Sequence, residues 1–564
     1  MKKLTLPTFI FTLSTVIGLQ AQVNYVQMDK PFSSNPAFLA PKGPVSSTAI
    51  QVPIITWAAD GTTVAANDGM TRSATSKLAV ALGTATSIAL QDDFEKQVAD
   101  YISGKSPFLR GTLGMINLAA EGLAEKDAGL EPVVFYQLSW STGADGFVGR
   151  NVRKVNELKG KTIVVQKNGP HIDLVRTLLQ SAGLKSGEVT IKYVRDIMDI
   201  GEGGGVNDPA GAMRRDPSVA GAACIYPDIM TLTRGGKVGD GTQGSVIGAR
   251  PILTTKTANR VIADVYAVRR DWFESNGGKV VKMREVLLAE QERFQGELKK
   301  PSAAFRSECR PLAKIFLGDE KLVEDYLAWA GSDSQLAGRD GNFEFFERPG
   351  WSAGFARTNE KIQEYYLQEG FITKSSVLIS DFSGEEGAGF ENPIAEVDWD
   401  NVKEEEEILT WTFLFGQNKT EIKWQGYEKE FDAVFDTHQK FGGGAISVNG
   451  HVDSTTYNVV FNSKKSGKSN FRSRGTEKKR RSEFKKRAME LSKQRVDAVK
   501  AEYKKYVEQH RLMKVGPNFY NNIRFEGKGL EEPIHPIAKN AKEKAENRRV
   551  EIKLYELPAA ELDL

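Results

Sequence analysis

Three stretches near the C-terminus decide the fold of the last third of the chain: Gly450-His451-Val452-Asp453-Ser454, Leu491-Ser492-Lys493-Gln494-Arg495-Val496 and Asn547-Arg548-Arg549-Val550-Glu551-Ile552. Around them, apolar residues alternate as in strands within residues 409–415, 446–450, 523–525 and 550–554, and they recur at helical spacing within 427–438 and 496–507. The second helix is predicted to begin near Ser492, which would act as its N-cap. This order of elements predicts two helices packed on one sheet.

Together the three stretches resemble the OmpA-like peptidoglycan-binding domain. The resemblance implies recognition of diaminopimelate in the stem peptide of Gram-negative peptidoglycan. That amino acid carries an ammonium and a carboxylate close together, so its site needs an acidic and a guanidinium group at a fixed separation. Asp453 and Arg495 match the family's acidic and basic ligand positions, and Asn547, Arg548 and Arg549 are further candidates, one of the two arginines being expected to form a structural ion pair. The alternative is that Asp453 only caps a turn and that Arg495 only lies on the solvent-exposed side of a helix.

A basic insertion at residues 464–488 departs from the family pattern, which has a short loop between the Asp453 strand and the Arg495 helix. It contains Lys478-Lys479-Arg480-Arg481 and Lys485-Lys486-Arg487. Such a segment is predicted to be a solvated or disordered excursion, or an N-terminal extension of the helix. A clustered positive charge could also steer the domain to anionic cell-wall polymers or lipopolysaccharide, and nucleic acid is the poorer interpretation.

The N-terminus predicts export. Met1-Lys2-Lys3 precedes a mostly apolar stretch, and Ala21 ends it with a small residue, so residues 1–21 are predicted to be a signal peptide. With no Cys beside Ala21, a lipoprotein is not expected. The predicted location is the periplasm, associated with the cell wall, with the outer-membrane face as one option. In that compartment the only two cysteines, Cys224 and Cys309, could form a disulfide.

Length and composition predict several domains in a chain of 564 residues with a net charge of +3. Residues 376–403 are rich in Gly and acids and are predicted to be a linker to a C-terminal domain at 404–564. Residues 22–375 alternate predicted strands and helices. Such alternation predicts a parallel sheet, with ligands at the carboxyl ends of its strands.

A second resemblance covers residues 49–374. It is carried by Glu157-Leu158-Lys159-Gly160-Lys161-Thr162-Ile163, Ser139-Trp140-Ser141-Thr142-Gly143-Ala144-Asp145-Gly146 and Ala222-Ala223-Cys224-Ile225-Tyr226-Pro227-Asp228. These segments look like the solute-binding proteins of nitrate/sulfonate/taurine-type ABC importers. The resemblance implies a periplasmic-binding-protein-like α/β domain whose two lobes close on a small anionic or zwitterionic solute. It leaves the presence of an ABC permease partner open.

Candidate solute-binding residues follow the predicted strands, at the edge where such sheets bind ligands. They are Trp57, Asp60, Arg110, Thr112, Ser141, Asp145, Asn168, His171 and Pro227. Trp57 could equally be a core residue, Arg110 could form an ion pair at the surface or between lobes, and His171 could cap a helix.

Three functions remain in competition. The leading hypothesis is a periplasmic receptor moored to peptidoglycan, and the second is an envelope scaffold whose receptor unit docks a partner. The third is an enzyme related to pyrimidine-precursor synthases, but a single histidine before residue 376 offers no Ser-His-Asp or Cys-His set. No enzyme activity, cofactor or metal site is therefore expected, and no Cys/His metal pattern occurs in the sequence.

Overall fold

The computed structural model describes residues 22–198, 207–376, 378–382, 397–400, 402–403, 406–457, 477–513, 515 and 517–556. The predicted signal peptide, most of the predicted linker and the first part of the basic insertion lie outside these ranges. Among the described residues, no helix combines the length and apolar character needed to cross a membrane.

The N-terminal unit, residues 22–382, alternates strands and helices. Its strands are β1 (Ala49–Ile54), β2 (Ala85–Leu90), β3 (Phe108–Thr112), β4 (Pro132–Ser141), β5 (Asp145–Arg150), β6 (Thr162–Gln166), β7 (Thr190–Val194), β8 (Val219–Ile225), β9 (Ala249–Thr254), β10 (Ala263–Arg269), β11 (Ser334–Leu336) and β12 (Ile379–Ser380). Its helices are α1 (Gly61–Ala66), α2 (Lys77–Leu82), α3 (Phe94–Ile102), α4 (Leu113–Lys126), α5 (His171–Ser181), α6 (Pro209–Arg215), α7 (Tyr226–Leu232), α8 (Arg270–Lys299), α9 (Ala303–Leu317), α10 (Val323–Ala328), α11 (Gly338–Glu347) and α12 (Phe355–Glu369).

These elements form two lobes. Lobe I contains the parallel pair β1-β2 and a sheet of order β11-β4-β10-β3, to which β12 adds on β4. Lobe II is a sheet of order β7-β6-β8-β5-β9. The chain passes from lobe I to lobe II between β4 and β5 and returns between β9 and β10. The predicted two-lobed α/β architecture is confirmed.

The prediction of a parallel sheet holds for only some of the strands. Strand β6 pairs in parallel with β7 and β8, but β5 is antiparallel to β8 and β9, and β10 is antiparallel to β3 and β4. The antiparallel strands are the ones that enter and leave the lobes, and they join a sheet without the helical crossover that a parallel neighbour requires. Alternation along the sequence does not reveal this.

The C-terminal unit, residues 397–556, has its helices packed on one sheet, as predicted. Its elements are β13 (Glu407–Leu414), α13 (Glu428–Lys440), β14 (Ala445–His451), α14 (Thr455–Tyr457), α15 (Glu477–Gln509), β15 (Ile523–Gly529), α16 (Ala541–Asn547) and β16 (Arg549–Tyr555), with the strands in the order β13-β16-β14-β15. The aromatic ring of Phe431 on α13 stacks on Tyr503 and Tyr506 of α15, which joins the two long helices. Strands β14 and β15 are parallel, so α15 is the crossover between them.

Helix α15 begins earlier than predicted. It already contains Glu477, so Ser492 lies in its interior and is not an N-cap. The Ser492 hydroxyl donates to the Met489 carbonyl and accepts from the Gly529 N–H, so it joins the helix to β15. The described part of the basic insertion, from residue 477, is the predicted N-terminal extension of this helix.

The two units share one continuous hydrophobic core and polar contacts. The Arg260 N–H donates to the Lys440 carbonyl at 3.1 Å, and the Glu556 carboxylate accepts from the Thr254 N–H at 3.0 Å. Arg260 belongs to the segment that returns the chain to lobe I, and Thr254 is the last residue of β9, directly before that segment. The C-terminal unit therefore packs directly against one of the two connections between the lobes.

Both cysteines are free and buried. Cys224 lies in β8 of lobe II, and Cys309 lies in α9, which packs on lobe I. Burial raises the pKa of the Cys309 thiol to about 12. The two thiols do not form the disulfide that an oxidising compartment would allow.

Candidate functional site

The motif residues of the C-terminal unit meet at the carboxyl end of β14. Gly450 lies in β14 where α15 crosses it, and a Cβ atom at this position would lie 2.3 Å from the Ser492 carbonyl oxygen. Only glycine permits so close an approach of a strand to a helix. This contact brings the turn that contains Asp453 next to the helix that carries Arg495.

The Asp453 carboxylate is fixed by three hydrogen bonds. Its Oδ1 accepts from the Thr455 hydroxyl at 2.7 Å, from the Thr455 N–H at 3.1 Å and from Asn547 Nδ2 at 3.1 Å. Asn547 also donates to the His535 carbonyl at 2.7 Å, which holds its amide in place. All three hydrogen bonds use one carboxylate oxygen, and Asp453 is half-buried. A second oxygen is therefore available to a cation.

Arg495 is fully buried and bonds only to main-chain carbonyls. Nη1 donates to His451 at 2.8 Å, Nε to Lys419 at 3.0 Å and Nη2 to Gly416 at 3.3 Å. Within the described ranges, no carboxylate lies at ion-pair distance from this guanidinium. Burial, together with the charge of Arg548, lowers the pKa of Arg495 to about 10. The site thus contains a buried positive charge that is not neutralised by a side chain.

The neighbouring arginines have different partners. Arg548 donates from Nε to the Phe415 carbonyl at 3.1 Å. Arg549 forms an ion pair with Glu551, Nε to Oε1 at 2.6 Å, and is buried. Arg549 is therefore the arginine with the structural ion pair expected for one of the two, and the charge of Arg548 acts on Arg495.

In lobe I, Arg110 is neutralised by the protein itself. Its guanidinium meets Asp60 through Nε at 3.0 Å and Nη2 at 2.7 Å, and meets Asp264 through Nη1 at 2.8 Å. Arg110 and Asp60 are completely buried. Burial raises the pKa of Asp60 to about 7 against the attraction of Arg110, and it also raises the pKa of Asp264. The alternative expected for Arg110, an ion pair, is the arrangement found, although both partners lie in its own lobe.

Trp57 is attached to the same network. Its indole Nε1 donates to the Ser139 hydroxyl at 2.9 Å, and Ser139 donates to Asp264 at 3.0 Å. The Trp57 ring also packs edge-on against Trp329 at 5.7 Å. Trp57 is buried, so its contacts in the structure are those of a core residue.

A second network lies where the chain crosses between the lobes. Ser141 donates to Asp145 Oδ2 at 2.7 Å, and His171 Nε2 lies 2.8 Å from Asp145 Oδ1. The carboxylate lies between the serine and the histidine, whereas nucleophilic catalysis by serine needs the histidine in the middle. His171 therefore bonds a carboxylate, and its side chain makes no capping hydrogen bond at the start of α5. In the described ranges, no cluster of three or more His, Cys, Asp or Glu residues could hold a metal ion.

The two lobes are also joined directly. The Thr112 hydroxyl donates to Asp173 Oδ2 at 2.8 Å, and Asn168 Nδ2 donates to Glu95 Oε1 at 2.8 Å. Thr112 and Glu95 belong to lobe I, and the other two residues belong to lobe II. Contacts between them require the lobes to be closed on each other.

Several buried polar atoms at this junction have no hydrogen-bond partner among the described residues, and Asn168 Oδ1, His171 Nδ1 and Asp173 Oδ1 are among them. A buried polar atom without a partner is costly, so such atoms mark a place where water or a ligand would bind.

Pro227 is exposed in the first turn of α7. This helix begins beside the second network, because the Tyr226 N–H donates to the Ala144 carbonyl.

A cavity of about 440 Å³ lies elsewhere on lobe I. Thr84, Trp272 and Lys279 are among its lining residues. Thr84 immediately precedes β2, so the cavity adjoins the amino ends of β1 and β2, whereas Trp57 and Asp60 follow the carboxyl end of β1. This cavity is not the predicted solute site.

The chain matches no family model and no curated protein sequence. Solved structures similar to it include the alkanesulfonate-binding protein SsuA from Xanthomonas axonopodis pv. citri bound to MOPS (17% identity, TM-score 0.39, covering 60% of this chain and 100% of that one). Others are the periplasmic aliphatic sulphonate binding protein SsuA from Escherichia coli (15%, 0.41, 61% and 96%) and the periplasmic nitrate-binding protein NrtA from Synechocystis PCC 6803 (13%, 0.38, 59% and 84%). With TM-scores below 0.5, these likenesses say nothing about the site of this chain.

Sequence reasoning missed Asp264, Asp173 and Glu95, which bond candidate residues. Asp264 had a usable signal, because it is a carboxylate in the buried strand Ala263–Arg269, whose residues 265–268 are apolar or aromatic. A charge in a buried strand predicts a partner of opposite charge. Asp173 and Glu95 lie on helices, where carboxylates are ordinary, and carried no such signal.

Proposed function

We propose that this protein is a two-lobed solute receptor of the cell envelope, held on diaminopimelate-type peptidoglycan by its C-terminal unit. The observation that carries the wall-binding part is the arrangement at the end of β14. The Asp453 carboxylate accepts from Asn547, and two residues before Asp453 the His451 carbonyl accepts from the buried guanidinium of Arg495, which has no carboxylate partner among the described residues. An ammonium beside a carboxylate, as in diaminopimelate, complements these two charges.

The bonds of Arg495 suggest how such a ligand would enter. Two of its three carbonyl partners, Gly416 and Lys419, belong to the turn after β13, which covers the guanidinium. A ligand carboxylate reaches Arg495 when this turn moves aside and the carbonyls exchange for the carboxylate. Because a carboxylate bonds a guanidinium more strongly than a neutral carbonyl does, the exchange is favourable.

The wall-binding proposal is tested by sedimenting the full-length mature protein with purified sacculi. Asp453→Asn removes the charge but keeps an oxygen for the Asn547 and Thr455 bonds, and we expect it to abolish binding without lowering the melting temperature. Asp497→Asn is the matched control, because Asp497 is an exposed carboxylate on α15. Equal sedimentation of wild type and Asp453→Asn would refute the proposal.

For the N-terminal unit, the supporting observation is the set of buried atoms without partners at the junction of the lobes, Asn168 Oδ1 and His171 Nδ1 among them. A polar solute enclosed there would supply the missing hydrogen bonds. Arg110 contributes no free charge to it, because Asp60 and Asp264 neutralise this guanidinium. Polar solutes that bind without a salt bridge to Arg110 therefore belong among the candidates beside anions and zwitterions.

A second candidate function is favoured by the closed lobes. Direct bonds from Thr112 to Asp173 and from Asn168 to Glu95 hold the two lobes together. In this alternative, the unit is an envelope scaffold that docks a partner, and closure needs no ligand.

A thermal-shift screen separates the two functions. The full-length protein is heated with sulfonates, nitrate, carboxylates, polyamines and pyrimidines, and a receptor gains stability from at least one of them, because the ligand binds only the native state. Asn168→Ala should remove that shift, and Asn156→Ala, an exposed position in the same lobe, should keep it. A screen without any stabiliser would favour the scaffold.

A further inference from the structure

The first half of α15 presents a basic surface to solvent. We call Lys478, Lys485, Lys486, Arg487 and Lys493 the basic face; all five side chains are exposed. Between residues 477 and 493 the sequence has eight Lys or Arg residues against three Glu, so this part of the helix is strongly positive. The structure gives the excess charge a rigid position, because these residues are in one helix.

The apolar side of the same helix is occupied by the fold. Ala488 and Ser492 are buried, and the ring of Phe484 packs on Tyr457 at 5.6 Å. The basic face thus lies on the outer side of a helix whose apolar side is already used. A helix that lies in a membrane surface needs a free apolar side, and this one offers none.

The basic face is next to the candidate wall site. Tyr457 comes four residues after Asp453, and the Lys485 ammonium lies 5.9 Å from the centre of its ring. Arg495 lies on the same helix, ten residues beyond Lys485, which is about 15 Å along the helix axis. Lys478 and Lys485, and likewise Lys486 and Lys493, are seven residues apart, so each pair forms a row on one side of the helix with about 10 Å between charges.

We propose that the basic face is a second wall-binding surface, which takes the carboxylates of stem peptides next to the one bound at Asp453 and Arg495. The inference rests on the proposed wall-binding function. Peptidoglycan is a polyanion, because its stem peptides carry free carboxylates at repeated positions along each glycan strand. A row of exposed ammonium groups beside the specific site attracts such a polymer, speeds encounter and adds contacts that salt weakens.

The test uses the full-length protein with Lys478, Lys485, Lys486 and Arg487 all changed to Gln, which removes the charge and keeps a good helix former. Sacculus affinity is measured from about 0.01 M to about 1 M salt, where the screening length falls from about 30 Å to about 3 Å. We expect the variant to bind roughly tenfold more weakly than wild type at low salt and equally at high salt. Circular dichroism checks that the helix is retained.

The matched control changes Lys299, Lys300, Lys314 and Lys321 to Gln, which removes four exposed charges from the N-terminal unit. We expect this control to keep the salt dependence of wild type. Wild-type affinity of the basic-face variant at low salt, or an equal loss in the control, would overturn the inference. A third result would also overturn it: the wild type binds phosphatidylglycerol vesicles, the basic-face variant does not, and both bind sacculi with equal affinity.

The outcomes also separate this inference from the proposed function. If Asp453→Asn binds sacculi like wild type at every salt concentration, the specific site is wrong. If Asp453→Asn abolishes binding while the basic-face variant is unchanged at low salt, the specific site stands and only the second surface is refuted.

Discussion

Arg110 offers the sharpest test of whether a candidate solute-binding residue is instead structural. Arg110→Met removes the guanidinium while keeping most of the volume, and it leaves Asp60 and Asp264 buried without a cation. Removing one partner of a buried ion pair costs about 3 to 5 kcal/mol, because the remaining charge is uncompensated. Since the total stability of a domain is only about 5 to 15 kcal/mol, the free energy of unfolding should fall by a large fraction.

The expected loss depends on pH. Burial raises the pKa of Asp60 to about 7 in the folded protein, from an ordinary value of 3.8. An acid whose pKa is raised by folding contributes most to stability below its unfolded pKa, and that contribution is lost as pH rises through the folded value. Without Arg110 the folded pKa rises further, so the difference between variant and wild type should be larger at pH 8 than at pH 5.

The assay is urea unfolding followed by tryptophan fluorescence and circular dichroism at both pH values. A triple variant, Arg110→Met with Asp60→Asn and Asp264→Asn, serves as the control, because it removes all three charges together and should recover part of the lost stability. A single variant within about 1 kcal/mol of wild type, with no gain in the triple variant, would refute the structural role.

Three further predictions follow from buried groups. Burial raises the pKa of Glu556 to about 7, so the wild-type protein should lose stability on the order of 3 kcal/mol as pH rises from 4.5 to 7. The Glu556→Gln variant should not show this loss, and urea unfolding at both pH values measures the difference. Gly450→Ala should destabilise the C-terminal unit by about 1 to 3 kcal/mol, because its Cβ would lie 2.3 Å from the Ser492 carbonyl oxygen, and limited proteolysis should detect the change. Cys224 and Cys309 should resist Ellman's reagent in the native protein and both react in denaturant; fewer than two reactive thiols would indicate a disulfide.

Much of the local structure can be predicted from the sequence. The alternation in residues 409–415 and the spacing in 427–438 correctly predict β13 and α13, and the strand and helix order of the N-terminal unit correctly predicts two α/β lobes. These features depend on side-chain periodicity, which is set by the geometry of each element alone. The glycine of the Gly450 motif also has a structural reason, because the strand must leave room there for the crossing helix.

Only the tertiary structure decided which side chains meet. Arg110 finds its partners 50 residues before it and 154 residues after it, and the residues that bond Arg495 lie 44 to 79 residues away from it. No local pattern encodes such pairings, since they depend on how sheets and lobes are arranged. Tertiary packing therefore decides whether Arg110 is free to bind an anion and whether Arg495 has a carboxylate partner. The sequence alone determined that a guanidinium would be present at each position, and the fold determined what each one can bind.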